Sequence, residues 1–125
     1  MDIQNRNDIR LMVDTFYAKV EIDDLLGPIF HQIIKGNWEP HLQKMVNFWD
    51  SLLFHQPVYH GKPYPKHADL PITEIHFNRW IQLFNQCIDQ LFDGPIAHRA
   101  KEIGGNVAQV FLAKMYPKPH SLPIV

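Results

Sequence analysis

A chain of 125 residues has the length of one domain and enough material to bury a core. Apolar residues at 46% and charged residues at 20% are ordinary for a globular protein, and a formal charge of −1 excludes the basic field that would gather nucleic acid or an anionic membrane. One cysteine excludes an internal disulfide, no apolar run nears the roughly 20 residues of a bilayer span, and the polar start MDIQNRNDIR lacks a signal peptide's apolar stretch, so a cytoplasmic protein without a membrane partner is expected.

In chain order, Ile9, Met12, Val13, Phe16, Tyr17 and Val20 recur at three-and-four spacing and predict a first helix, with Asn7 or Asp8 as its cap. Gly27 and Pro28 then predict a turn, with Phe30 following as an anchor. A second helix is expected from Asn37, where Pro40 falls in the tolerant first turn. Its face runs through Trp38, His41, Leu42, Met45, Phe48, Trp49 and Leu52. His41, Met45 and Trp49 stand four apart and therefore on one line of that helix.

Residues 55–72 hold four prolines and a glycine, which predicts an irregular connector with room for one or two helical turns around His67. Thr73 caps the next helix, with Glu74 suited to its positive end and an apolar line of Phe77, Trp80, Phe84, Cys87, Ile88 and Leu91. Gly94 and Pro95 close it, and a last helix reaches about Met115. Gly104 and Gly105 inside that helix are either weak points, at about 1 kcal/mol each, or the mark of a close backbone approach. The sequence reads as all-α, with four substantial helices in one domain over 1–116 and a proline-rich tail over 117–125.

Familiar catalytic patterns are missing. There is no HExxH, no cysteine pair, no glycine-rich phosphate loop and no paired carboxylates along a helix face. Cys87 falls on an apolar face in mid-helix, where a cysteine packs rather than attacks. What survives is an imidazole holding the iron of a planar cofactor, with His67 or His76 as candidate and either one open to an ordinary structural role. Tyr17, His41 and Trp80 carry polar tips that can face a bound gas.

Five stretches, FYAKV (16–20), LGPIF (26–30), WEPHLQKMVNFW (38–49), YHGKPYPKHADL (59–70) and HFNRWIQLF (76–84), resemble the third group of the truncated haemoglobins, over about residues 9–112. The resemblance implies a shortened globin, a two-over-two helical sandwich around haem b (iron protoporphyrin IX). It implies His67 as the proximal ligand and only metal ligand, with His76 a capping or surface residue. Phe30 would stack on the haem, Met45 and Trp49 would line the cavity, and Tyr17, His41 and Trp80 would lie on the distal side. His41 and Trp80 then contact both cofactor and gas, His41 either as a gate or as a contact. The expected function is reversible binding of O2, CO or NO on ferrous iron by a monomer, with an unidentified reductase as a candidate partner. An enzyme reducing peroxide or turning over nitric oxide and O2 in the same pocket is the alternative, and a cofactor-free helical interaction domain is a third reading.

Overall fold

The computed structural model describes residues 1–59 and 70–116. Among them the chain forms five helices and no strand: α1 (Arg6–Ile22), α2 (Gly27–Ile34), α3 (Trp38–Phe54), α4 (Glu74–Leu91) and α5 (Pro95–Met115). The expected first-helix stripe from Ile9 to Val20 is buried as a set. Its cap is Asn5 rather than Asn7 or Asp8, because the Asn5 side chain accepts the Asp8 backbone N–H at 3.0 Å. Asp8 answers from the first turn by accepting the Gln4 N–H at 2.8 Å, where its charge also suits the helix dipole.

The structure corrects the reading of Gly27–Pro28. They open α2 instead of forming a bare turn, so the described residues hold five helices where four were expected. Proline in the first helical turn loses no hydrogen bond, since those N–H groups have no intrahelical partner. The Asp23 carboxylate meanwhile accepts the N–H groups of Leu25 and Leu26 at 3.1 and 2.9 Å and turns the chain out of α1. Gly27 is required for a different reason: a Cβ there would stand 2.7 Å from the carbonyl oxygen of Glu21.

Two helical pairs carry the fold. α1 packs on α3, α4 packs on α5, and α1 crosses onto α4. Arg6 reaches the buried Asp50 at 2.8 Å and Arg10 meets Glu39 at 2.8 Å, both joining α1 to α3. Arg79 on α4 meets Asp23 at 2.7 Å. At the other end, the Asp2 carboxylate accepts the N–H groups of Ile96 and Ala97 at 2.9 and 2.8 Å and caps α5. Together the pairs make the two-over-two helical sandwich that the resemblance implied.

A pile of flat rings fills the junction of the pairs. Phe84 lies between Trp49 and Trp80, with centroids 5.0 and 5.3 Å away and planes within 13° and 7° of its own. Phe16 closes it edge-on at 5.3 Å. Gly104 on α5 makes room for this pile, since a Cβ would sit 3.0 Å from two Phe84 ring carbons, whereas Gly105 faces open space. The close approach expected at the glycine pair is therefore real at one residue only, and the neighbour is an aromatic ring instead of a backbone.

Candidate functional site

Apolar residues of a small domain usually merge into one core. Here they form two clusters. The larger joins α1, α3 and α4 around Phe16, Trp49 and Phe84. The smaller joins Ile72 and Phe77 to Ala108 and Phe111 of α5. Between them runs a cleft of about 120 Å³ with an open mouth. A single buried water needs roughly 10–15 Å³ of such space, so this is more than a packing defect, and its walls are almost wholly apolar.

Tyr17, Phe30, His41, Met45 and Phe48 line one wall. Leu70, Ile72, Phe77, Val107, Ala108 and Phe111 line the other, and Trp80 belongs to the fringe of both clusters. Tyr17 is 7% exposed and ringed by Phe16, Phe30, Trp38 and His41, with centroids 4.8 to 6.1 Å away. Burial pushes its hydroxyl well above the ordinary phenol range, so it stays a neutral O–H. Tyr17 lines the cleft, where its hydroxyl can donate to an occupant. Trp80 contributes an indole N–H, which can only donate.

Trp49 lies elsewhere. It is 4% exposed, stacked on Phe84 within the larger core and absent from the cleft walls. The reason is helical phase. Each four-residue step overshoots a full turn by roughly 40°, so by Trp49 the line begun at His41 has swung roughly 80° around α3. His41 and Met45 face the cleft, and Trp49 faces the ring pile.

His76 is more informative than its spacing suggested. It takes part in a capping box at the start of α4, where its Nδ1 accepts the backbone N–H of Thr73 at 3.0 Å. A backbone amide can only donate, so Nδ1 carries a lone pair and the neutral ring must carry its proton on Nε2. An imidazole that binds iron through Nε2 needs its lone pair there. While it caps α4, His76 is unsuited to be that ligand. It is half-buried and lines the cleft all the same.

His67 falls in 60–69, outside the described residues. No group of three or more histidine, cysteine, aspartate or glutamate side chains among the described residues could hold a bare metal ion. The described residues alone offer no such set of ligands, whereas the iron of a tetrapyrrole arrives with most of its own. The aromatic walls, the slot between two clusters and the Tyr17 hydroxyl on its wall suit such a planar group. Cys87 takes no part: it is fully buried, its thiol lies 3.6 Å from the Met12 carbonyl oxygen, and burial pushes its pKa up to about 11.

Sequence reasoning missed the α5 wall of Val107, Ala108 and Phe111, as well as Leu26, Ile29, Leu70 and Ile72. The one signal was Gly104, a turn before Ala108 and the mark of α5 closing on the aromatic pile. No helix among the described residues is long and apolar enough to cross a membrane.

Comparison with known proteins agrees with this geometry. The family model described as bacterial-like globin matches residues 2–111. Group 3 truncated hemoglobin ctb of Campylobacter jejuni is 30% identical over 116 residues, covering 90% of this chain and 91% of that protein. The crystal structure of group III truncated hemoglobin from Campylobacter jejuni superposes with a TM-score of 0.87 at 29% identity, covering 94% of this chain and 97% of the other.

Proposed function

Because this chain belongs to the bacterial-like globin family, we propose that its cleft holds haem b and that the protein reversibly binds a diatomic gas, most naturally O2, with His67 as the proximal ligand. One observation carries the reading: an apolar slot divides the core, and the polar groups on its walls are few and able to donate. Haem supplies the ferrous iron at which O2, CO or NO binds.

The chain's own residues do the rest. Phe30, Met45 and Phe48 on one wall and Phe77 and Phe111 on the other present apolar surface to the two sides of a flat ring and keep water out. Tyr17 keeps its proton and donates one hydrogen bond into the cleft; Trp80 donates another. His41, 4.8 Å from the Tyr17 ring centroid and edge-on to it, stands where it can donate to the gas or gate its entry. In a dry pocket each neutral bond is worth roughly 0.5–1.5 kcal/mol, hence a release rate slowed roughly 2- to 13-fold.

Two considerations support His67 over His76. The capped tautomer of His76 points a proton, not a lone pair, from Nε2. And the resemblance carried by the stretch YHGKPYPKHADL falls on position 67 and not on 76. Absorption spectra of the ferric, ferrous and CO-saturated forms test the proposal on wild type and His67→Ala. Wild type should show an intense visible band that shifts with CO, and His67→Ala should lose that response with its far-ultraviolet circular dichroism unchanged. A wild-type protein that stays colourless after haem is added would end the reading.

A further inference from the structure

His76 lines the cleft yet has no part in holding iron or gas, and its geometry gives it another task. Resting on the haem reading above, we propose that His76 anchors the cofactor at the cleft mouth by donating its Nε2–H to one of the ring's carboxylates. Nδ1 is committed to the Thr73 backbone N–H at 3.0 Å, and the Thr73 hydroxyl oxygen stands 3.2 Å from the same nitrogen. The ring is thereby fixed in orientation, and the remaining polar atom is a donor on the far side of it. His76 lines the same cleft as Tyr17, His41, Ile72 and Phe77.

The choice of a carboxylate follows from where charge can stand. Iron protoporphyrin carries two carboxylates on an otherwise apolar disc. An ionised carboxylate buried among aromatic side chains is strongly unfavourable, so both must reach the solvent edge. His76 is half-buried, more open than its buried neighbours Ile72 and Phe77, and so marks that edge. A neutral N–H donor meeting an ionised acceptor makes a stronger hydrogen bond than two neutral groups do. The capping box also makes the arrangement rigid at little entropic loss, since α4 itself holds the imidazole.

Two substitutions separate anchoring from capping. Glutamate and glutamine at the third helical position both accept the Thr73 N–H, so His76→Glu and His76→Gln each keep the cap. Glutamine also offers an N–H donor, whereas glutamate offers a repelling charge. The readout is the rate at which each holoprotein surrenders haem to an excess of an apoglobin scavenger, with protohaem and with its dimethyl ester. Expected is loss about tenfold faster from His76→Glu than from wild type, with His76→Gln close to wild type. With the dimethyl ester the wild-type advantage over His76→Glu should shrink to within about twofold. Equal protohaem loss from wild type and His76→Glu overturns the inference and leaves the haem reading standing. An undiminished difference with the ester also overturns it, because the effect then lies in the protein. A wild type that takes up no haem overturns both.

Discussion

Adjacent glycines in one helix offer a controlled measurement of the aromatic pile. Gly104→Ala and Gly105→Ala each gain the same intrinsic helix propensity, about 1 kcal/mol. Their surroundings differ: the new methyl meets Phe84 Cδ2 and Cε2 at 3.0 Å from position 104 and nothing within 4 Å from position 105. To accept it, the Phe84 ring must withdraw by a few tenths of an ångström. It has nowhere easy to go, being stacked between Trp49 and Trp80 at 5.0 and 5.3 Å and met edge-on by Phe16 at 5.3 Å. Overpacking of this kind costs about 1–3 kcal/mol. Gly105→Ala should therefore stabilise the protein by up to about 1 kcal/mol, and Gly104→Ala should leave it level or weaken it by up to about 2 kcal/mol. Urea unfolding followed by far-ultraviolet circular dichroism, with both variants in the same ligand state, measures the gap. Midpoints separated by about 1 M are expected for a chain of this size. If Gly104→Ala stabilises as much as Gly105→Ala, the close packing of α5 on Phe84 is wrong.

Tyr17→Phe takes away only a hydroxyl from a ring that stays packed among Phe16, Phe30 and Trp38, and should change folding stability by less than about 1 kcal/mol, while gas release followed by flash photolysis speeds up roughly 2- to 13-fold. An unchanged release rate would take Tyr17 out of the donor set. Cys87, with its thiol pushed up to about 11 and fully buried, should ignore dithionitrobenzoate at pH 8 until denaturant is added; rapid labelling of native protein would show the core to be open. Acid should weaken the corner between α1 and α2. Burial works against the Asp23 charge, but the Leu26 N–H, Arg79 and the Leu25 N–H together outweigh it and hold the carboxyl below its ordinary value. A depressed carboxyl adds stability above its unfolded value near about 4 and surrenders it as pH falls through the lower folded value. Urea midpoints of wild type should thus fall more steeply than those of Asp23→Asn as pH drops below about 4; parallel curves would refute the linkage.

The long amphipathic helices were legible because their apolar stripes have a phase that only a helix can bury together: Ile9 to Val20 in α1 and Phe77 to Ile88 in α4. α2 was not legible. Its apolar positions Ile29, Phe30, Ile33 and Ile34 stand at helical spacing, but the helix is only eight residues long and the Gly-Pro pair that starts it is also the commonest punctuation of a turn. The α1 cap moved to Asn5 because several polar residues in a row compete and only geometry picks one. Of the candidate site residues, Tyr17, Phe30, His41, Met45 and Trp80 meet at one cleft, while Trp49 drifts out of phase into the ring pile. The α5 wall stayed hidden because a helix's own periodicity says which face is buried, never which partner it faces.

The three tryptophans of this chain all stand close to the cleft. Trp80 is on its wall, Trp49 is one ring behind, and Trp38 lies 6.4 Å from Phe30 with nearly parallel planes. An occupant that absorbs where indole emits, as haem does, would drain the emission of all three at once by resonance transfer. On the haem reading the protein would be its own fluorimetric gauge of occupancy: dim when loaded, bright when emptied, with no label attached.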